Sequence, residues 1–390
     1  MVKIFAMTHK EFDVPNDPMY IPLHVGHAGA KKDFGYIGDD TGENISDLNC
    51  YYAELSGVYW VWKNFHSADY VGICHYRRFL TDENGYAFTE KEYEDILNKY
   101  DVITTKQLEL PNSYRFGFGA HHNVRTLDET GAIIKERYPE FYDTYVTLAN
   151  QNKTYFGNLM VAKKELYDEY CTWLFSIFFE LQKRIDLTFE DDYHKRVFGF
   201  ISEFLLYVWV TAKKLSAYEC RVAIIGEKKE INEIRKQMRS FFRNKDAAGA
   251  GAYFSQYLKK RPDVIMEASD LTGECKLCLQ AVSVANLELA EYGSSFLDRI
   301  CDYDVIIKYF RQLNRAAAQC VKEAVGKGAV KNTAKAEYVR TIETDEYDAD
   351  VISASSDIAL RAAIRLYAPD QETAQAAFEQ IKVFQKRQMK

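Results

Sequence analysis

No stretch of the 390-residue chain reaches the ~18–20 consecutive apolar residues that a membrane span requires. The opening MVKIFAMTHK turns polar too soon for a secretory signal peptide. Cytoplasmic residence is therefore expected, with peripheral contact at the inner face of the cytoplasmic membrane left open. A basic excess is also missing: 50 Lys and Arg stand against 57 Asp and Glu, for a net charge of −7. A dedicated nucleic-acid binder would usually show a basic face, so nucleic acid is not an expected partner, although a local basic site is not excluded. Histidine is absent beyond His194 and tryptophan beyond Trp209. The lone Cys275-Lys276-Leu277-Cys278 pair thus lacks the further ligands of a zinc site. It also lacks a thioredoxin-like setting, so one helical turn of buried thiols is expected. Eight scattered cysteines suit a reducing compartment, where they act as small buried hydrophobes. No repeat of fixed period is visible.

What is present divides in two. The length allows two or more domains, and a hydrophobic content of 47% is ample for a core. Beyond about Gly226 the chain turns rich in Ala, Lys and Glu. Residues 1–226 read as an α/β domain and 227–390 as an all-α region. Helical spacing in the latter covers 232–243, 253–260, 273–292, 296–325 and 371–388, with a flexible Ala/Gly joint at 246–251.

The first region is organised around residues 44–80, NISDLNCYYAELSGVYWVWKNFHSADYVGICHYRRFL. Ser46 is a candidate N-cap, with Asp47 in the first turn. Tyr52, Leu55, Tyr59 and Trp62 recur at the spacing of one helical face. Glu54 lies among them and reads equally as an exposed helix residue. Lys63-Asn64 close the helix near its negative pole. Tyr70–Cys74 is then a short apolar strand, where Gly72 permits close backbone approach. It ends in His75-Tyr76-Arg77-Arg78, four polar-tipped side chains where an open α/β sheet holds its ligand. Paired arginines suit a diphosphate or a carboxylate, and either can instead make a structural salt bridge. His75 suits a metal, a sugar hydroxyl or a structural cap.

Elsewhere, Val2–Met7 reads as the first strand, followed by Thr8-His9-Lys10 at its ligand-facing end. Lys10 can meet phosphate or solvent. Residues 11–42 carry Pro15, Pro18 and Pro22 and read as a long ordered loop. Gly38-Asp39-Asp40-Thr41-Gly42 is turn chemistry, and its acids suit Mn²⁺ or Mg²⁺. A helix is expected over 89–99, a strand over 100–105, a loop over 108–119 and a helix over 127–138. His121 and His122 are candidates for a metal or, more readily, a substrate hydrogen bond. Residues 155–162 read as a strand, on which Asn158 offers its amide to sugar hydroxyls or caps an edge. A helix over 165–184 presents a core stripe. Asp192, in Glu190-Asp191-Asp192, and Glu203, on a helix over 199–215, are candidates for a general base. Glu203 can instead belong to a buried pair with arginine.

Asn44-Ile45-Ser46, Asn49, Glu54-Leu55, Tyr59-Trp60, Trp62-Lys63-Asn64, Gly72 and His75-Tyr76-Arg77-Arg78 resemble the signature of bacterial capsular and exopolysaccharide glycosyltransferases with an HYRR motif. That family was long catalogued only as a domain of unknown function. The likeness continues through Asn158-Leu159-Met160, Tyr170–Phe175 and Arg196–Phe200 to Glu203, and covers residues 1–225. His194, where the family usually has glutamine, departs from it. The resemblance implies an α/β fold with a GT-A-like, Rossmann-type mixed sheet flanked by helices. It implies transfer of a sugar, galactofuranose being associated with the family, from a nucleotide-diphospho-sugar such as a UDP-sugar. The acceptor would be a glycan or a lipid-linked glycan in capsule, exopolysaccharide or O-antigen synthesis.

Under that reading Arg77 and Arg78 stabilise the departing diphosphate, and Glu203 or Asp192 takes the acceptor proton. Thr8, His9, Lys10, Asp39, Asn44, Lys63, His75 and Tyr76 line the donor site. His121, His122 and Asn158 face the acceptor. Asp39 and His75 are the candidate ligands of Mn²⁺ or Mg²⁺. No D-x-D triplet follows the Tyr70–Cys74 strand, and two arginines can neutralise a diphosphate as a cation would, so metal independence is equally open. For the helical region, docking of a partner transferase, dimerisation and membrane-surface contact are all open. The rival reading is a non-catalytic sugar- or nucleotide-binding subunit of a polysaccharide assembly complex. A carbohydrate hydrolase would need two carboxylates at a set separation, which a sequence does not measure.

Overall fold

A computed structural model describes residues 1–265, 269–327 and 349–388. The chain divides into two units, Met1–Gly226 and Glu227–Lys390.

The first unit is a mixed sheet with helices. Its strands begin with β1 (Val2–Thr8), β2 (Tyr20–His24), β3 (Ile37–Gly38), β4 (Tyr70–His75) and β5 (Arg78–Thr81). They continue with β6 (Val102–Thr105), β7 (Leu108–Glu109), β8 (Lys153–Thr154), β9 (Met160–Lys163) and β10 (Ala217–Ile224). Apolar β1 is buried along nearly its whole length, between β2 and β4, both parallel to it. Residues 11–42, expected as a loop, therefore contain β2 and β3. Pro22 disguises the strand, yet it fits because β3 pairs only from Leu23 onward.

Besides β1, β4 has two further partners in succession. Tyr70–Ile73 pairs antiparallel with β9, while His75 turns back through Tyr76-Arg77 to pair with Arg78 of β5. β5 pairs with β10, β10 with β6 and β6 with β9, so the pairings return to β4. Gly72 sits between the neighbours; a Cβ there would lie 2.9 Å from Val161 and 3.0 Å from Ile4. β7 and β8 form a separate ribbon.

The helix expected from Ser46 to Asn64 is broken. Ser46–Leu48 is a 3₁₀ turn, α1 (Asn49–Tyr52) is one turn long, and α2 spans Leu55–Asn64. Ser46 is the first residue of the turn rather than its N-cap, which is Ile45, and its hydroxyl bonds Asp39 instead. The break falls at Ala53, whose φ of 50° is unfavourable for an L-residue. Asn49 Nδ2 spans it, donating to Ala53 O at 2.6 Å and Ser56 Oγ at 2.9 Å. Glu54 is thereby set at the N-terminus of α2 rather than in mid-helix.

Aromatic packing seats these helices. Trp62 stacks on Phe175 of α7 (Lys164–Arg184) at 5.7 Å, and Tyr52 meets Phe198 of α8 (Val197–Ala212) at 4.8 Å. Gly57 lets α2 lie close to the sheet, since a Cβ there would come 2.5 Å from Met7 Sδ. On the other face, α3 (Glu90–Leu97) opens with a Thr89/Glu92 capping box and buries Tyr93 and Leu97. The expected loop at 108–119 contains β7 and α4 (Tyr114–His121), which Ser113 caps. Its two glycines hid it. Helices α5 (Val124–Arg137) and α6 (Pro139–Ala149) follow. The strand expected at 155–162 begins only at Met160, because Gly157 and Asn158 both have positive φ, 94° and 52°.

The second unit is helical over its described residues. Phe242, Phe254, Phe310 and Leu360 lie in a core of its own. Cys275 and Cys278 are buried on the helix Glu274–Tyr292 and form no disulfide. The expected joint at 246–251 is instead the start of the helix Ala247–Lys260, where Asp246 accepts the Gly249 N–H. No helix among the described residues is long and apolar enough to cross a membrane.

Candidate active site at the strand ends

The carboxyl end of β4 gathers a polar cluster from four distant parts of the chain. His75 Nε2 lies 2.6 Å from the Gly157 carbonyl oxygen. A carbonyl only accepts, so Nε2 carries the hydrogen and neutral His75 keeps its lone pair on Nδ1. Burial holds the imidazole below its ordinary pKa, against the pull of Glu54; Arg78 lowers it further and the Gly157 carbonyl opposes.

Glu54 is oriented by Asn158, whose Nδ2 donates to Glu54 Oε1 at 2.7 Å and to the Gly199 carbonyl at 3.1 Å. Ser202 Oγ in turn donates to Asn158 Oδ1 at 2.9 Å. Both amide hydrogens expected to meet sugar hydroxyls are thus spent inside the protein. Asn158 positions Glu54 instead, and its left-handed backbone is a conformation that Asn tolerates better than most residues. Gly199 lies close beside this carboxylate: a Cβ there would be 3.6 Å from Glu54 Oε2, an ordinary contact distance.

The two arginines have separate fates. Arg77 turns to the end of β10: its Nε donates to Ile225 O at 2.9 Å, and Nη2 donates to Gly226 O. Ile225 N returns a bond to Arg77 O at 2.8 Å. Its expected role on a diphosphate gives way to a clamp on main chain. Arg78 turns toward the cluster, over the Phe156 ring at 5.1 Å, with Nη1 3.3 Å from where a Gly157 Cβ would be.

Across the end of β1, Thr8 is buried and its hydroxyl bonds Lys10 O at 2.5 Å, closing a turn. That turn presents His9 and Lys10 beside Tyr76, at 5.6 and 6.0 Å from its ring. Phe12 joins the Tyr76 ring at 6.1 Å, and Tyr36 packs in turn on Phe12 at 5.9 Å. Asp39 does not open onto this group. It is fully buried, and its carboxylate accepts from Gly26 N, His27 N, Ser46 Oγ and Ser56 Oγ at 2.5–3.0 Å. Four donors fill a carboxylate's four lone-pair sites, so Asp39 does not fit as a donor contact or as a ligand of Mn²⁺ or Mg²⁺. With Nε2 committed to Gly157, His75 retains only Nδ1. Asn44 caps the following turn through its bond to Ser46 N. Lys63 pairs with Glu43 at 3.1 Å, at the far end of α2 and ~13 Å along the helix from Glu54. It does not join the cluster.

His121 and His122, expected at the acceptor together with Asn158, lie in another group. His121 is exposed, and its carbonyl accepts from His194 Nε2 at 3.0 Å. His122 is pressed between Tyr193 and Phe200, at 5.4 and 4.4 Å. Its pKa is pushed down to about 3 by burial, then by His194, His121 and Arg196, against Asp191. A cavity of about 170 Å³ opens beside it, lined also by Asn123, Arg125, Arg184, Glu190 and His194. Asp191, not Asp192, is the engaged acid here: its Oδ2 lies 2.9 Å from His194 Nδ1. Asp192 is exposed and contributes a carbonyl to Arg196 Nε. Glu203 acts on Tyr114, raising its pKa after burial.

Sequence reasoning undervalued Glu54. Its place among the quoted motif residues was the available signal; the helix break that frees it was not written in the local pattern. His24, His27 and Asp33 were missed altogether, and they bring ligand atoms within 4.8 Å of one another.

The family described as a domain of unknown function, DUF4422, matches residues 3–214. Comparison with curated proteins gives no match. Among solved structures, the apo form of the bifunctional glycosyltransferase WbbM is similar, with a TM-score of 0.50 and 29% identity. The likeness covers 58% of this chain and 45% of WbbM, so the chain corresponds to less than half of that enzyme.

Proposed function

The chain belongs to the DUF4422 family, and from that premise and the likeness to a glycosyltransferase we propose that it transfers a sugar from a nucleotide-diphospho-sugar on a GT-A-like first unit. The observation that carries the reading is the cluster of Glu54, His75, Arg78 and Asn158 at the carboxyl end of β4. The donor would be a UDP-sugar, with UDP-galactofuranose the first to try. The acceptor would be a glycan or lipid-linked glycan of a surface polysaccharide, met in the cytoplasm or at the inner face of its membrane.

Glu54 is the general base of this reading, in place of Glu203 or Asp192. Asn158 holds one carboxylate oxygen, which leaves the other to accept a proton. An acceptor hydroxyl oxygen bonds to the anomeric carbon as its proton passes to Glu54. The bond from that carbon to the diphosphate breaks, and its electron pair leaves with the nucleoside diphosphate. Arg78 neutralises that charge where it develops. Lys10 adds to it from the next strand end. His75, held neutral, accepts through Nδ1, and the rings of His9, Phe12, Tyr36 and Tyr76 offer a surface for the base. Because Asp39 is saturated, no step is assigned to a cation there.

The test compares UDP binding and UDP release from UDP-sugars in wild type, Glu54→Gln and Arg78→Ala. Glu54→Gln should bind UDP within about threefold of wild type while losing ~10²–10⁴ in turnover. Arg78→Ala should weaken UDP itself. UDP binding with no turnover of any donor would favour the non-catalytic subunit, and unchanged turnover in Glu54→Gln would remove Glu54 as base.

A further inference from the structure

Two imidazoles at the end of β2 are left incompletely satisfied. His24 is 3% exposed, and its Nδ1 is buried without a hydrogen-bond partner. His27 stands edge-on to it, with ring centroids 4.9 Å apart. Its Nδ1 also lacks a hydrogen bond, although Asp40 Oδ2 approaches to 2.9 Å. Buried ring nitrogens are normally paired, so the His24 exception asks for a cause; at His27 the Asp40 carboxylate already faces Nδ1, which leaves Nε2 toward Asp33. Asp33 supplies a third donor, its Oδ1 lying 3.9 Å from His27 Nε2.

We propose that His24, His27 and Asp33 form a binding site for a divalent transition-metal ion of the Zn²⁺ type. Imidazole suits such ions, whereas Mg²⁺ prefers an all-oxygen shell. The three residues already bring their ligand atoms within 4.8 Å of one another, close enough to share one ion. Asp40 beside the His27 ring is the carboxylate that commonly orients a ligating histidine. The frame is rigid on its inner side, because Asp39 accepts from His27 N and its own N–H bonds the His24 carbonyl at 3.1 Å. Asp33 is exposed, with 71% of its side chain accessible, which gives the ion an entrance and room for water as a further ligand.

The consequence of binding lies along the strand ends. Phe34 packs on His24 at 4.9 Å and on Tyr36 at 5.9 Å, and Tyr36 leads through Phe12 to Tyr76. Holding Asp33 against the two histidines therefore fixes the segment that carries Phe34 and Tyr36. His24 pairs with Thr8 on β1, and Met7 with His75 on β4. The ion would thus sit roughly 10 Å, two strand spacings, from the Glu54 cluster. The assignment stands without the glycosyltransferase reading, because its test needs no substrate.

The full chain, freed of metal by chelation, is titrated with Co²⁺ and followed by its visible d–d absorption, with Zn²⁺ as competitor. One equivalent should bind and be displaced by Zn²⁺, and Zn²⁺ should raise Tm. His27→Gln and Asp33→Asn, both at partly or fully exposed positions, should fold as wild type by circular dichroism. Each should weaken Co²⁺ binding at least tenfold. Absence of the band in wild type, or a band that survives either substitution unchanged, would overturn the site.

Discussion

Asp39 and Asn158 show how far a residue's chemistry depends on what surrounds it. As a member of Gly38-Asp39-Asp40-Thr41-Gly42, Asp39 offers an acid in a turn, and the expectation of a ligand or donor contact follows from that. Its four donors lie at 26, 27, 46 and 56, where no local pattern points to them. Asn158 is opposite in reach: its partner Glu54 lies 104 residues away. His122 gives a prediction at the same scale. An imidazole titrates near 6.5 in an unfolded chain, whereas in the fold His122 holds off its proton until about pH 3. Between those values the unfolded state binds a proton that the folded state does not. Stability is therefore complete above about pH 6.5 and falls as pH drops through this window. His122→Phe, in an aromatic setting, should lose less stability than wild type between about pH 7 and pH 4.5, measured by urea midpoints. The loss should shrink rather than vanish, since burial lowers His24 and His75 too.

Elements with strong periodicity were legible, and those defined by an interruption were not. The helix over 371–388 is found where spacing placed it, and α7 within one residue of its expected start. The strand ending in His75 was readable because its apolar run stops at a polar cluster. The break between α1 and α2 was not, since alanine advertises helix and only tertiary bonds reveal otherwise. That break makes a measurable statement. Ala53, at φ 50° and ψ −129°, holds a sparsely populated conformation that costs an L-residue ~1–3 kcal/mol, and glycine gives back part of the relief in added unfolded-state freedom. Ala53→Gly should therefore stabilise the protein by up to ~1 kcal/mol in urea denaturation. A loss of stability would mean that the break is not strained.

At the scale of the whole chain, composition foretold the change of character near Gly226 because aromatic and histidine-bearing segments give way to Ala, Lys and Glu. It said nothing about partners for either unit. Each unit has its own core, so a cavity should be felt in one of them. Phe204→Ala, in the first unit, and Phe310→Ala, in the second, each delete a fully buried ring. Either should cost ~3–5 kcal/mol. Calorimetry should show two transitions, with each substitution lowering a different one; a single transition lowered equally by both would mean that the cores unfold together.

The bonds around Asp39 and Glu54 also differ in time. Asp39 collects its donors from within 17 residues along the chain, a loop that closes quickly. Glu54 waits for Asn158, 104 residues on, and Asn158 waits for Ser202, a further 44. The turn around Asp39 needs only short loops to close, whereas the orientation of the Glu54 carboxylate needs long ones. A chain halted midway would hold a framed turn at Asp39 with the Glu54 carboxylate still unaimed.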